Sequence, residues 1–134
     1  MNGLSIFRRV LLGSLVFVGG FSVSDCSAQN VADVQQFITE HPNSLVLFHR
    51  PGCPYCQYVM PLFDAAEVKH AVPGEVEFLK VNITVDPALK GAFNFSTVPT
   101  FVYYKGGQER FRHGSNNKTL KLAEIEANIK KHIA

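Results

Sequence analysis

The chain has 134 residues, with 13 Lys or Arg against 11 Asp or Glu and a net charge of +2 at neutral pH. No basic run marks a surface for nucleic acid or for a membrane, so we expect neither kind of partner. The length suits one ordinary domain with a single hydrophobic core, and we expect a monomer.

The first 28 residues have the outline of a secretory signal peptide. Arg8 and Arg9 precede an almost wholly apolar run over residues 10–21, which is short for a membrane span. We predict cleavage after Ala28, which leaves residues 29–134 as one domain without a stable membrane span. The predicted location is therefore outside the cytoplasm, in a periplasm or secreted.

Two alternatives for processing involve neighbouring residues. Cleavage after Ser24 is the second choice for the signal peptidase. A lipid anchor on Cys26 is disfavoured, because Asp25 is a poor neighbour for that processing step.

Helical and strand patterns alternate along the first half of the predicted domain. Asn30 can cap a helix that ends at the sequence His41-Pro42-Asn43. Residues 45–49 begin with consecutive apolar side chains, which is typical of a strand buried on both faces. A helix follows from Cys53 to about residue 70 and contains Pro61, where the missing N–H and the ring favour a bend.

The second half predicts a turn, a strand, a short helix, a hairpin and a final helix. These elements are a turn at 72–74, a strand at 76–83, a helix from about 86, strands at 100–104 and 109–113 around a turn at 105–108, and a helix from 119. The buried positions of the two helices are expected at Leu89, Ala92 and Phe93, and at Leu122, Ile125, Ile129 and Ile133. This order favours an α/β fold, with parallel connections in a central sheet, an antiparallel hairpin edge and helices on both faces.

The motif Cys53-Pro54-Tyr55-Cys56 stands at the predicted helix start. The first helical turn presents unpaired N–H groups and a positive dipole end, both of which stabilise a thiolate. We therefore predict that Cys53 is the acidic, exposed nucleophile and that Cys56, deeper and one turn on, is the resolving thiol. Pro54 suits the first helical position because its fixed φ matches the helix.

A structural bridge and half of a metal site are the alternatives for this motif. Tetrahedral zinc needs two more Cys or His at fitting spacing. Cys26 lies in the predicted signal peptide, and none of the five histidines forms a paired ligand motif. A permanent bridge across four residues closes too small a loop to add much stability. We expect no metal and a redox-active disulfide in an oxidising compartment.

The element order, with a CxxC motif at the head of the second helix, resembles the thioredoxin superfamily over nearly all of residues 29–134. The sequences Phe48-His49-Arg50-Pro51-Gly52 and Cys53-Pro54-Tyr55-Cys56 are similar to the active-site loop of glutaredoxins. From Pro61 onward the chain is similar to thioredoxins. The matching positions are Pro61, Lys80-Val81-Asn82-Ile83, Val98-Pro99-Thr100, Lys105-Gly106-Gly107 and Gly114. The resemblance implies a thioredoxin fold, with a mixed sheet of about four strands and helices on both faces.

The resemblance also implies a substrate-binding edge. It implies a cis bond before Pro99, packed beside the sulfurs, so that the backbone of Val98 can pair with an extended substrate next to Thr97. The alternative is an ordinary proline that opens an edge strand. Arg50 and Tyr55 match residues that glutaredoxins use for glutathione, whereas a solvated surface arginine is the alternative for Arg50.

Several positions depart from the thioredoxin pattern. Leu47 stands where thioredoxins carry a buried aspartate that moves the proton of the resolving thiol. Lys80 matches a lysine near that acid, and either tunes the resolving thiol or simply extends from a strand end. His49 replaces a tryptophan, and either assists the thiolate and its proton or is a packed, half-exposed histidine. The segment Gly114-Ser115-Asn116-Asn117 is only faintly similar to the glutaredoxin loop for glutathione.

Three functions agree with these features. The first is an exported thiol–disulfide oxidoreductase that acts on protein disulfides through Cys53 and Cys56, without a bound cofactor and with a membrane or thiol electron donor. The second is glutathione-dependent deglutathionylation, in which glutathione is a co-substrate and Cys53 alone suffices. The third is a non-catalytic module that binds a client or a metal at the Val98-Pro99 edge, although Met-rich or His-rich flanks are missing for the metal.

Overall fold

The computed structural model describes residues 29–72 and 75–134. The predicted signal peptide with Cys26, and the Pro73-Gly74 part of the predicted turn, lie outside these residues. The elements in chain order are α1 Val31–Glu40, β1 Ser44–His49, α2 Pro54–His70, β2 Glu77–Asn82, α3 Leu89–Phe93, β3 Thr100–Lys105, β4 Gln108–Gly114 and α4 Leu122–His132. Over the described ranges, no helix has the length and apolar character needed to cross a bilayer.

The four strands form one mixed sheet in the order β2-β1-β3-β4. β1 and β2 are parallel, with Leu47 opposite Lys80. β3 runs antiparallel to both β1 and β4, with Leu47 opposite Phe101. The sheet and its flanking helices confirm the fold class predicted from the sequence.

Consecutive apolar residues in β1 are buried because both faces of the sheet are covered. Leu45 and Leu47 pack with residues of α2 and α4, whereas Val46 and Phe48 pack with residues of α1 and α3. Side chains alternate between the faces of a strand, so a strand covered on both sides favours apolar residues at consecutive positions. This agrees with the prediction of a fully buried strand.

Asn30 caps α1, as predicted. Its Oδ1 accepts a hydrogen bond from the backbone N–H of Asp33 at 2.8 Å, and its own N–H donates to Asp33 Oδ2 at 3.1 Å. Such a capping box satisfies N–H groups that have no partner inside the helix. The N–H of Val31 donates to Asp86 Oδ2 at 3.0 Å, which ties the start of α1 to the segment before α3.

α3 differs from its prediction. It begins at Leu89 and not near residue 86, because Asp86 Oδ1 accepts a hydrogen bond from the N–H of Ala88 at 3.0 Å and holds a turn there. The predicted burial of Ala92 is wrong, since only Leu89 and Phe93 of this helix are buried. In a helix of five residues, only the pair one turn apart reaches the sheet.

α4 also begins later than predicted. The side chain of Asn117 accepts a hydrogen bond from the N–H of Thr119 at 3.1 Å, so a turn occupies the expected start and the helix begins at Leu122. Ile125, Ile129 and Ile133 are buried as expected, and Leu122 is half-buried against them.

Candidate functional site

The CxxC motif follows β1, one of the two inner strands of the sheet. β1 ends at His49, and a short turn leads to Cys53 at the N-cap of α2. Gly52 in this turn has a φ of 75°, a backbone conformation that glycine adopts without steric cost. Pro54 occupies the first helical position, as predicted. The strand, the turn and the helix start together place both sulfurs at one edge of the sheet.

Cys53 and Cys56 form a disulfide, with their Cα atoms 5.1 Å apart. The backbone N–H of Cys56 donates a hydrogen bond to Cys53 Sγ at 3.1 Å. The Cys53 sulfur therefore takes the place of an ordinary N-cap oxygen and meets an unpaired N–H of the helix start. The same donor and the positive end of the helix dipole stabilise negative charge on this sulfur when the disulfide opens.

The predicted exposure of Cys53 is wrong for the disulfide form. Cys53 is 3% exposed and Cys56 is 2% exposed, so neither sulfur is clearly the deeper one. The segment before β3 lies against Cys53, with the carbonyl oxygen of Val98 4.0 Å from Cys53 Sγ and Pro99 buried beside it. Sequence spacing gives the position of a residue in a helix but not which loop covers it.

A groove of about 480 Å³ leads to this edge. It brings together four residues predicted from the sequence with the last residue of β4 and the two residues after it: Tyr55, Thr97, Val98, Pro99, Gly114, Ser115 and Asn116. The peptide bond between Val98 and Pro99 is cis, as the resemblance implied. None of these lining residues is acidic or basic, and Tyr55, Thr97, Ser115 and Asn116 contribute polar side chains.

Arg50 stands apart from the groove. Its side chain is exposed, and its Nη1 lies 3.5 Å from the carbonyl oxygen of Pro51. Arg50 is not among the residues that line the groove.

His49 at the end of β1 and Lys80 of β2 form a second pair of interacting groups. Burial lowers the pKa of His49, and the positive charge of Lys80 lowers it further. The imidazole is therefore neutral at pH 7, which suits a proton acceptor and not a permanent cation beside a thiolate. Lys80 Nζ lies 2.8 Å from Asp64 Oδ1 on α2.

Asp64 is a neighbour that the sequence patterns did not identify. It lies on an exposed position of α2, sixteen residues before Lys80, and only the packing of α2 on β2 joins them. At the predicted position of the missing aspartate, Leu47 is fully buried. Within the described ranges, no three His, Cys, Asp or Glu side chains gather as metal ligands would.

Comparison with known sequences gives the same family that the motif suggested. A family model described as Thioredoxin matches residues 26–131. Protein disulfide-isomerase A5 of Mus musculus is 41% identical over 83 residues, which are 58% of this chain and 16% of that protein. Thioredoxin-T of Drosophila melanogaster is 30% identical over 99 residues, which are 72% of this chain and 62% of that protein. The chain spans less than two thirds of the length of these relatives.

Solved structures agree in fold. The reduced Schistosoma mansoni thioredoxin pre-protein has a TM-score of 0.63 at 26% identity, over 75% of this chain and 90% of its own. Fasciola hepatica thioredoxin has a TM-score of 0.66 at 24% identity, over 81% of this chain and 99% of its own. With the family model matching most of its length and the same fold in these structures, the chain belongs to the thioredoxin family.

Proposed function

We propose that this protein is a thiol–disulfide oxidoreductase that exchanges disulfides with protein substrates through Cys53 and Cys56. The observation that carries the proposal is the N–H of Cys56 directed at Cys53 Sγ over 3.1 Å at the start of α2. This donor stabilises the sulfur of Cys53 both as attacking thiolate and as leaving group. The likeness to a protein disulfide-isomerase and to thioredoxins supports the same chemistry.

Reduction of a substrate begins with the thiolate of Cys53. It attacks one sulfur of the substrate disulfide, and the other substrate sulfur leaves as a thiolate that takes a proton from water. The thiolate of Cys56 then attacks the Cys53 sulfur of the mixed disulfide and releases the second substrate thiolate. Two electrons pass to the substrate, and the protein ends as the Cys53–Cys56 disulfide. Oxidation of a substrate dithiol is the reverse sequence.

Cys56 must lose its proton before it can attack. Leu47 offers no carboxylate for this step, whereas His49 lies two residues further along β1 and, by strand alternation, on the same face as α2. The lowered pKa of His49 keeps its imidazole neutral and able to accept a proton. We assign His49 to this role, with burial first and the charge of Lys80 second in favouring the neutral imidazole.

The groove beside Cys53 suits an extended segment of a protein substrate. Val98 and Pro99 lie at its wall, and the carbonyl of Val98 lies close enough to Cys53 to align a strand across the sulfur. Backbone pairing of this kind binds many sequences, because side chains contribute little. The proposal requires no bound cofactor, and a thiol or membrane donor would return the pair to the dithiol.

The proposed location is an oxidising compartment outside the cytoplasm. The support is the charged start and apolar run of residues 1–28, together with a disulfide that forms readily in such a compartment. Mass spectrometry of the protein from an export-competent bacterial host tests it. A mature start at residue 29 or 25 in the exported fraction agrees with the proposal, whereas an uncleaved protein in the cytoplasm contradicts it.

Replacing each cysteine separately tests the chemistry. We expect Cys53→Ser to abolish reduction of a disulfide-bonded test protein, and Cys56→Ser to accumulate a covalent mixed disulfide with it. Full activity of Cys53→Ser would refute the proposal. If Cys56→Ser kept full turnover on a glutathionylated peptide, the function would be glutathione-dependent deglutathionylation, which needs one thiol.

A further inference from the structure

Arg112 of β4 binds the end of α3. Its Nη1 donates to the carbonyl oxygen of Asn94 at 2.8 Å, and its Nη2 donates to that of Phe93 at 3.0 Å. These carbonyls belong to the last turn of a helix, where backbone acceptors have no partner inside the helix and carry partial negative charge. The forked guanidinium satisfies two of them at once.

Glu109 aims the guanidinium from the other side. Its Oε1 accepts from Arg112 Nη2 at 2.7 Å, and its Oε2 accepts from Nε. Residues three apart in a strand normally point to opposite faces. Here Tyr103 pairs with Phe111 but Tyr104 pairs with Glu109, so Arg110 is an extra residue that shifts the alternation. The bulge places Glu109 and Arg112 on the face that α3 covers.

The chain runs directly from this anchor to the redox centre. After Asn94, the ring of Phe95 stacks on Phe48 with centroids 4.5 Å apart. The carbonyl of Thr97 then accepts from the hydroxyl of Thr100 at 2.7 Å. The next carbonyl, that of Val98, lies 4.0 Å from Cys53 Sγ. The segment from 94 to 99 is therefore held at its start by Arg112 and near its end by Thr100.

We infer that Arg112 is a positioning residue for disulfide exchange, which sets the place of the Val98 backbone against Cys53 by fixing where the segment begins. This inference rests on the proposed function. Arg112 does not line the groove beside the redox centre, so its effect depends on whether the substrate uses the Val98 backbone. An extended peptide uses it, whereas a small disulfide reagent needs only access to the sulfur.

The test compares two substrates in the variants Arg112→Gln and Arg112→Lys. One substrate is a fluorescence-quenched peptide disulfide with several residues on each side of the cystine, and the other is a small aromatic disulfide such as 5,5′-dithiobis(2-nitrobenzoate). We expect Arg112→Gln to lower kcat/KM for the peptide about tenfold, as small misplacement of reacting groups does. Its rate with the small reagent should stay close to that of the unchanged protein.

One matched control and one intermediate variant define the outcome. Arg110→Gln removes an exposed charge on the same strand that makes none of the bonds to the carbonyls, so it should retain the peptide rate. Arg112→Lys keeps the charge without the fork and should fall between Gln and the unchanged protein. It also serves as the readout if Arg112→Gln does not fold.

Equal loss on both substrates, or no loss on either, would overturn the positioning role. The first result would mean that Arg112 only supports the fold, and the second that the segment keeps its place without it. If the unchanged protein reduced neither substrate, the proposed function itself would fail, and the inference with it.

Discussion

Lys80 Nζ lies 2.8 Å from Asp64 Oδ1, across the contact between β2 and α2. Both side chains are substantially exposed, so the ion pair itself adds little to stability. The position of the pair matters more. Lys80 lies opposite Leu47 in the sheet, and Leu47 is two residues before His49 on β1. Burial lowers the pKa of His49 first, and Lys80 lowers it further.

Replacing Lys80 with Met should raise the pKa of His49, because the variant removes a positive charge that opposes protonation. Asp64→Asn is the matched control, since it breaks the same ion pair but keeps the lysine, and it should not raise the pKa of His49. NMR titration of the imidazole in both variants measures this. An unchanged His49 pKa in Lys80→Met would show that the lysine does not act on it.

Leu47→Ala should destabilise the fold by about 2–5 kcal/mol, since it empties part of a fully buried site between β1 and α2. Val68→Ala on α2 is the control, because Val68 is 85% exposed and its change should stay within about 0.5 kcal/mol. Denaturant unfolding of the reduced proteins gives both values. A cost below about 1 kcal/mol for Leu47→Ala would contradict tight packing there.

Gly114→Ala should destabilise the protein, and Gly91→Ala should not. A Cβ atom at Gly114 would lie 3.2 Å from the carbonyl oxygen of Pro99, so the segment beside the redox centre must give way. A Cβ at Gly91 in α3 meets nothing within 4 Å, and alanine there should stabilise by about 0.5–1 kcal/mol. Chemical unfolding distinguishes them, and equal effects of the two substitutions would contradict the close approach.

His113 should make stability fall as the solution becomes acidic. Its Nδ1 lies 3.3 Å from the Gly114 carbonyl oxygen, so Nδ1 carries the proton and Nε2 accepts from the Tyr103 hydroxyl at 3.0 Å. Burial lowers the pKa of His113, although the Gly114 carbonyl and Glu124 act in the opposite direction. Protonation would turn Nε2 into a donor and break the bond from Tyr103.

Because the folded pKa is lowered, the unfolded chain binds the proton more readily below about pH 6.5. The contribution of neutral His113 is therefore complete above that pH and is lost as pH falls through the folded pKa. Denaturant unfolding from pH 8 to pH 5 gives the free energy of unfolding of the unchanged protein and of His113→Gln. The difference between the two at each pH isolates the contribution of His113, because the other titrating groups are common to both proteins. Identical pH profiles for the two proteins would refute this.

Local signals in the sequence predicted much of the molecule. Asn30 identifies a helix start because its own side chain forms the cap. The position of Cys53 at the start of α2 could be predicted because the partner of its sulfur is an N–H three residues on. The consecutive apolar residues of β1 required cover on both faces, which largely determines the layers.

The unpredicted features depend on contacts between residues far apart in the chain. Cys53 is buried because a segment some 45 residues later lies on it. The bond from Arg112 to the end of α3 depends on an extra residue in β4. Without this bulge, the regular alternation of the strand would place Glu109 and Arg112 on opposite faces of the sheet. Asp64 meets Lys80 only after α2 has packed on the sheet.

The redox centre follows β1, one of the two inner strands of the sheet. β1 lies between β2 and β3, and its amides are shielded on both faces as well. Such amides exchange with deuterium only through the largest openings of a protein. We therefore expect the amides of β1 to be among the slowest to exchange in both the disulfide and the dithiol form. The redox cycle should affect the start of α2 and the segment before β3, and should leave the amides of β1 protected.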